Sequence, residues 1–522
     1  SRHPFHTVKM VAAEETQPLL ADASEASIPR RLKSKRLMIL IMTAIFALGV
    51  DLGNDMSLAP QTAIFERIIC RNYGLLSTGN QPVNGSDPCK SEAVQAELAL
   101  VLGYKDMFEA LPSILLSLPY GVLSDHWGRK PVIYLGIVGM LLGELWVRLV
   151  AFWPNVLPLR LVWLTGLFRV IGGGDQVVVA IALVMVADVF SEEERTTALF
   201  LLQSCVILAE ILGTPISAWL MQYNDWLPYI LGTLILILGS APILFLPETL
   251  EEAKANKARY RREANSDAAE SSSSSSSSSN EPIEPAGKRP VLQEFIHQAR
   301  EFKDSTQFIW RNYSVCVMIL CLLVSVISRQ SSGVLLQYAS KKFNWSIART
   351  SLLISLRGVL NLTNYLVIMP ALSYAAAKYL NLHGKHRDHR LSQGSGLISI
   401  IGFLAMGLAP VPTLLICGLV ILSLGSAFLI TARSLATSLV PPDHVGTLYS
   451  AIAISQSLGI LVAGPLFAYL FRIGLHLGGA WLGLPFLQAG LLYVIATVAI
   501  WCIRVPRAAQ DENEEAEPLL SE

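Results

Sequence analysis

An all-α polytopic membrane protein with twelve transmembrane helices in two six-helix bundles is the architecture these 522 residues predict. Three observations carry that reading. Hydrophobic residues make up 52% of the chain and charged ones only 15%, with a mean hydropathy of +0.48, a balance suited to lipid rather than to a soluble core. Apolar stretches of about 20 residues, enough to cross roughly 30 Å of hydrocarbon, recur along the chain. A polar segment, 248–312, with nine consecutive serines from Ser271 to Ser279, divides these stretches into two sets of six.

The expected spans are 37–58, 104–123, 131–152, 161–187, 197–221, 227–246, 314–336, 350–373, 394–409, 413–437, 446–471 and 482–503. Lys and Arg in the short flanks set the orientation, because positive charge resists translocation. Arg30, Arg31, Lys33, Lys35 and Arg36 precede span one, and Arg129 with Lys130, Lys254 to Arg262, Lys385 to Arg390, and Arg504 with Arg507 fall on the same side. Both termini are therefore expected in the cytoplasm. Lys341, Lys342 and Arg349 fall on the opposite side and are outweighed by five consistent clusters. The domain plan is a cytoplasmic tail 1–36, a bundle 37–247, a linker 248–312, a second bundle 313–504 and an acidic tail 505–522. The linker's composition cannot bury enough apolar surface to order it. Residues 291–302 have helical apolar spacing, which suits either a membrane-surface helix or a lead into span seven.

The most specific motif is Gly121-Val-Leu-Ser-Asp125-His-Trp-Gly128-Arg129-Lys130, between spans two and three. An apolar helix is expected to end at Gly121, an acid and two cations crowd a tight turn, and Pro131 opens the next helix. The ten residues resemble the cytoplasmic signature of the major facilitator superfamily, Gly-x-Leu-Ala-Asp-Arg-x-Gly-Arg-Lys, departing from it at Ser124 and His126. Pro247-Glu248-Thr249 after span six, and Val440-Pro-Pro-Asp-His-Val-Gly-Thr through Gly464-Pro465, resemble further elements of that superfamily. The equivalent loop of the second half, Lys378 to Arg390, lacks the signature. Glu66-Arg-Ile-Ile-Cys70-Arg, Cys89-Lys and Gly172-Gly-Gly174 look similar to fungal carriers near the proton-coupled folate transporter group.

The resemblance implies a secondary carrier with a central site near the midplane and alternating access by rocking of one bundle against the other. It implies that Asp188 to Arg195 docks onto the signature turn. Arg129 is expected to bond Asp188, and Asp125 to favour the positive N-terminal end of a helix of the other bundle, span eleven. Gating is thus assigned to Gly121, Asp125, Gly128, Arg129, Asp188 and Arg195.

On the exoplasmic side, Cys70 and Cys89 share one segment, where oxidising conditions favour a disulfide over free thiols. The sequons Asn84-Gly-Ser86 and Asn344-Trp-Ser346 fall on that same side, so Asn84 and Asn344 are expected glycosylation sites.

Ionisable groups at membrane depth persist when they face a cavity or a partner. Asp51 and Asp55 are four apart in span one and share a helix face with Asn54. Two readings stand: a proton-binding pair, or a structural pair capped by a neighbouring Arg or by Asn54. Glu210 lies near the middle of span five among apolar neighbours, where burial favours the neutral carboxyl and makes it a proton carrier, unless it pairs with Arg169. Arg169 and Asp175 are equally able to pair with each other. Arg169-Val-Ile-Gly-Gly173 resembles the Arg-x-x-Gln-Gly motif of proton-linked members, with Gly172 in place of Gln. Arg329, Gln330 and Arg357, with Arg169 and Asn54, are the candidate substrate-binding residues, since an Arg fork suits a carboxylate or phosphate. Pairing of Arg357 or Arg329 with Asp51, Asp55 or Glu210 is the alternative. Arg433, near the cytoplasmic end of span ten, is expected to snorkel.

No phosphate-binding Gly-x-x-x-x-Gly-Lys-Ser/Thr loop is present, and Gly172-Gly-Gly174 does not follow a strand, so neither ATP nor a dinucleotide is expected. His383, His386 and His389 lack Cys or acidic neighbours and read as a solvated loop, not a metal site. The expectation is a non-enzyme without cofactor or nucleic-acid partner, acting on a small molecule and protons within the lipid bilayer. Glu15-Thr-Gln-Pro-Leu19-Leu20 and Glu515-Ala-Glu-Pro-Leu519-Leu520 resemble acidic dileucine signals read by sorting adaptors. They imply a vacuolar or lysosomal membrane, with the plasma membrane as the alternative. Proton-coupled symport of a small organic anion is the first functional reading. Proton-exchange efflux of drugs or secondary metabolites is the second, and a transport-inactive receptor or sensor is the third.

Overall fold

The computed structural model describes residues 30–75, 87–190, 192–251, 313–380, 384–440 and 445–503. The first half holds α1 (Arg30–Asn72), α2 (Glu92–Trp127), α3 (Arg129–Phe152), the interrupted α4, α5 (Glu192–Leu220) and α6 (Trp226–Phe245). The second holds α7 (Tyr313–Phe343), α8 (Ile347–Ala376), α9 (Gly384–Leu408), α10 (Pro412–Ser438), α11 (Val445–Leu477) and α12 (Gly479–Cys502). Eleven of these are long and apolar enough to cross a bilayer. The twelfth crossing is α4, which completes two bundles of six.

The crossing α4 departs from the continuous span expected over 161–187. It consists of a 3-10 segment Leu159–Leu164, a short helix Thr165–Arg169 and a longer helix Asp175–Val189. Between them Gly172, Gly173 and Gly174 adopt φ of +87°, +81° and +82°. A side chain is strained in that region, and here there is no room for one: a Cβ on Gly172 would lie 2.1 Å from the backbone nitrogen of Gly136. Hydropathy reads through the break because glycine does not lower it.

Two boundaries also differ from expectation. Helix α2 does not end at Gly121 but runs to Trp127, and the chain turns at Gly128, whose φ is +111°. The apolar run stops before the hydrogen-bonded helix does. Helix α1 has 43 residues, about 65 Å at 1.5 Å per residue. Its exoplasmic end therefore projects beyond the hydrocarbon, where a disulfide joins Cys70 to Cys89 at the start of the short turn into α2.

The second half has one continuous apolar core, including Met318, Tyr338, Phe403, Phe428, Phe467 and Phe486. The first half has two. A cytoplasmic layer gathers Ile133, Val178, Met185 and Ile243, and an exoplasmic layer gathers Phe65, Leu98, Val147 and Tyr229. What divides them is a sheet of charge carried by α2, α3 and α4.

Among the described residues, the side-chain contacts between the halves lie from mid-membrane to the exoplasmic end. Helices α2 and α11 touch backbone to backbone, so that a Cβ on Gly464 would come within 2.5 Å of the Gly103 carbonyl oxygen. Thr214 of α5 meets Ser355 of α8 hydroxyl to hydroxyl. Further out, Lys341 donates to the Lys90 carbonyl and His476 lies 2.9 Å from Glu92. Towards the cytoplasm, a Cβ on Gly121 would meet nothing within 4 Å. Among the described residues, no side-chain contact between the bundles closes the cytoplasmic side of the space between them.

Candidate functional site

Three groups of polar residues line or flank that space. The first is central. Glu210 of α5 and Arg357 of α8 form an ion pair of 2.8 Å across the boundary between the bundles. Both are only partly covered, with side-chain exposures of 22% and 27%, so they face the void rather than a sealed core. Gly358 follows Arg357 and lets α5 approach: a Cβ there would stand 3.5 Å from the Glu210 carboxyl carbon. Asp55 lies on the facing turn of α1, within electrostatic reach of Glu210, Asp51 and Arg357. Asp51, one turn earlier, is within reach of Asp175, and Asn54 beside them is exposed. Of the alternatives for Glu210, the pairing with Arg169 is not formed; Arg357 takes that place.

The second group is the charge sheet. Arg169 is 3% exposed and its guanidinium contacts Asp175 across the glycine break, Glu144 at 3.0 Å and Glu109 at 3.5 Å. Lys105 bonds Glu109 at 2.8 Å, and Arg148 bonds Glu144 at 2.5 Å. Arg148 also donates to Ser57 of α1 at 3.1 Å and stacks 4.4 Å over the Tyr229 ring. With Asp106, four carboxyl groups face three cations. Such a network is tolerated in a low-dielectric layer because each cation is held by at least one carboxylate. Asp106, Glu109, Ser113, Asp175 and Gln176 open onto a cavity of about 160 Å³ closed from the other bundle by Ser457 of α11.

Sequence reading reached only Arg169 and Asp175 of this sheet. Lys105, Asp106, Glu109, Glu144 and Arg148 were missed. The signal was present as i,i+4 pairs of opposite sign, Lys105 with Glu109 and Glu144 with Arg148, inside apolar runs, a spacing that places both partners on one helix face.

The third group is a clasp at the cytoplasmic ends of α2, α3, α4 and α6. Arg129 contacts Asp125 at 2.6 Å and Asp188 at 3.3 Å, and donates to the Ser124 hydroxyl at 2.7 Å. Thr249 donates to Asp188 at 3.1 Å. Glu248 sits at the N-terminal end of α3, where its carboxylate accepts backbone N–H bonds from Arg129 at 2.9 Å and Lys130 at 3.0 Å. An anion there satisfies helix-end donors and the positive end of the dipole. Gly128 is required beneath it, since a Cβ would lie 2.6 Å from a Glu248 carboxylate oxygen. Asp125 turns to Arg129 of its own loop, whereas the side chains at the start of α11, where it was expected to dock, lie outside the described residues. Glu248 and Thr249 had been read only as a chain exit; their clasp role needs the fold.

Arg329 and Gln330 are exposed at the 3-10 turn that interrupts α7, and Arg329 and Tyr365 lie within electrostatic reach of Tyr493. They are not brought to the Glu210–Arg357 pair. Arg433 bonds Gln456 of α11 at 3.2 Å instead of snorkelling freely. Asn344 is exposed and holds the left-handed position that ends α7, with φ of +52°. Asn84, the linker serines, residues 291–302, Leu19, Leu20, Leu519, Leu520 and the side chain of Arg195 lie outside the described residues.

Comparison with known proteins agrees with this architecture. Residues 95–328 and 318–521 match the Major Facilitator Superfamily. The chain is 35% identical to the MFS-type transporter avaK of Aspergillus versicolor over 93% of this chain and 96% of that one. It is also 35% identical to the efflux pump ustT of Aspergillus flavus, over 90% and 89% of the two chains. The proton-coupled folate transporter of Bos taurus is a more distant relative, 24% identical over 75% of this chain and 76% of that one. The fold also matches the crystal structure of a D-xylose-proton symporter with a TM-score of 0.54, at 15% identity, covering 90% of this chain and 98% of that one. The chain is a multi-pass membrane transporter of the Major Facilitator Superfamily.

Proposed function

We propose that this carrier exports a small amphiphilic organic compound from the cytoplasm in exchange for protons. The observation that carries the reading is the Glu210–Arg357 pair, which joins the two bundles beside Asp55 in a space that no described contact closes on the cytoplasmic side. For the exoplasmic side to open, that pair must part. A proton on Glu210 removes its charge, and a polar group of the cargo competes with Arg357 for the same carboxylates, so proton and cargo exclude each other at one place. Mutual exclusion is what exchange requires. The relatives named above as transporters and as an efflux pump support export over uptake. Carboxylates also outnumber cations around the void, which argues against the small organic anion first expected from Arg357. The charge sheet around Arg169 then relays the state of the central site to the broken α4.

The test is a metabolite screen in inside-out vesicles bearing the full-length protein and an imposed pH gradient. Acid inside should drive accumulation, and Glu210→Gln should retain binding while losing the response to the gradient. Accumulation that ignores the gradient, with no cargo-driven proton movement, sinks the proposal.

A further inference from the structure

Away from the central pair, a cavity of about 500 Å³ lies between the cytoplasmic thirds of α10 and α11, lined by Leu429, Ile430, Arg433, Ser434, Thr437 and Tyr449 among others. Its charge balance is incomplete. Among the described residues the Arg433 guanidinium makes one hydrogen bond, from Nη2 to the Gln456 amide oxygen at 3.2 Å, and no carboxylate pairs with it. Its Nε and the Gln456 Nε2 are both buried without an acceptor. Two neighbouring donors left empty, one of them on a cation, are costly in a half-buried setting unless something completes them. Among the described residues, the acid bonded to this wall, Asp388 of α9, is committed elsewhere: it accepts from the Ser434 hydroxyl at 2.5 Å and lies 3.4 Å from Arg387.

The remaining walls specify the missing group. Thr437 has one proton for two acceptors, the Arg433 carbonyl at 2.9 Å and the Tyr449 hydroxyl at 3.1 Å; when it is given to Tyr449, the Tyr449 proton is left for an incoming oxygen. Exposed Ile430 and half-buried Leu429 supply apolar wall on the same cavity. We infer that this cavity is a binding site for an amphipathic anion: its carboxylate or phosphate is taken by the guanidinium of Arg433, which Gln456 holds from behind, and by the hydroxyl of Tyr449, and its apolar body lies against Leu429 and Ile430. A small rotation of the guanidinium turns its unused N–H edge to the ligand in the bidentate fashion that suits planar and tetrahedral oxyanions. The site is separate from the Glu210–Arg357 pair and does not depend on the direction of transport. The anion can arrive as a soluble cytoplasmic compound or as a lipid headgroup of the inner leaflet.

Two arms distinguish these sources. The full-length protein in phosphatidylcholine nanodiscs is titrated with phenyl phosphate by calorimetry. The same protein in nanodiscs that also contain phosphatidylglycerol is examined by native mass spectrometry for retained anionic lipid. Arg433→Gln should weaken whichever is bound by about tenfold or more, the value of a charge-assisted hydrogen bond. Gln456→Glu supplies a carboxylate within the protein and should abolish binding while keeping or raising the thermal midpoint, which separates loss of the site from loss of the fold. Dependence on Arg433 in the first arm assigns a soluble anion, and in the second a lipid. Absence of binding in both arms, or binding that neither substitution alters, overturns the inference.

Discussion

Arg357 of α8 bonds Glu210 of α5 at 2.8 Å, and no other described ion pair joins the membrane-embedded parts of the two bundles. Removing one partner should cost more than removing both, because a lone charge is left at membrane depth. For fully buried pairs the single loss is roughly 3–5 kcal/mol; with a quarter of each side chain exposed, the lower end or less is expected here. Arg357→Gln and Glu210→Gln should each lower the thermal midpoint, and the double variant should recover most of the loss. A double variant no more stable than the worse single one would mean that the pair is not coupled.

Asp125 and Arg129 separate gating from folding. Asp125 is 54% exposed, while Arg129 keeps Asp188 and Ser124 without it. Asp125→Asn should therefore change stability by about 1 kcal/mol or less yet reduce transport, under the proposal that in the opposite state this carboxylate meets α11. Equal turnover in reconstituted vesicles at equal expression would remove Asp125 from the gate.

Glu248 gives the clasp a pH dependence of definite sign. Burial alone would raise its proton affinity, but backbone N–H groups of Arg129, Lys130, Leu250 and Thr249 outweigh it and hold the carboxyl below its ordinary 4.5. A carboxylate so depressed stabilises the folded state fully above that ordinary value and loses the contribution as pH falls through its lowered folded value. Glu248→Gln should accordingly reduce thermal stability at pH 7 and flatten the decline seen on acidification below about pH 4.5. A variant whose acid profile superimposes on the parent would show that the carboxylate does not cap α3.

The backbone contact of Gly103 with Gly464 makes exoplasmic closure sensitive to a single side chain. Gly464→Leu has no space in the state described and should bias the carrier towards the exoplasm-open one. Labelling of Ser355→Cys by a membrane-impermeant thiol reagent from outside should then rise several-fold. Unchanged labelling would place the closing contact elsewhere.

The Cys70–Cys89 link closes a loop with a sequence separation of 19, for which chain-entropy reasoning gives about 3 kcal/mol. Beside it, buried Lys90 bonds Glu66 at 2.7 Å and Gln95 bonds the same carboxylate at 2.5 Å. The double Cys70→Ser/Cys89→Ser variant should unfold at a lower temperature than the parent, and the parent in reductant should approach it. A parent indifferent to both would make the bridge dispensable.

The bundle plan was legible because lipid imposes length and hydropathy on each crossing, and the signature turn because its charges are dense and local. Span four was read as continuous because Gly172 to Gly174 are silent to hydropathy, although three adjacent glycines were in view. Asp51 with Asp55 as a pair, and Glu210 and Arg357 singly, were recognised as costly charges; which opposite charges meet was open, since Glu210 and Arg357 lie 147 residues apart in sequence. Glu144 and Arg148 escaped notice because, once paired, they neutralise each other within one helix face. Glu248 was quoted for its motif and not its chemistry, because its acceptor role depends on donors that follow Gly128, far upstream.

The sheet of charge across α2, α3 and α4 has a consequence for biosynthesis. Each unpaired Lys, Arg or Asp near a helix centre costs about 2.5–3.5 kcal/mol on insertion, and Lys105, Asp106, Glu109, Glu144 and Arg148 are synthesised before Arg169 and Asp175. Until the fourth crossing emerges, the second and third carry more acid than base and cannot settle in lipid alone. Nascent chains halted after residue 152 should remain beside the insertion machinery and be degraded, whereas those reaching residue 189 should partition as a unit.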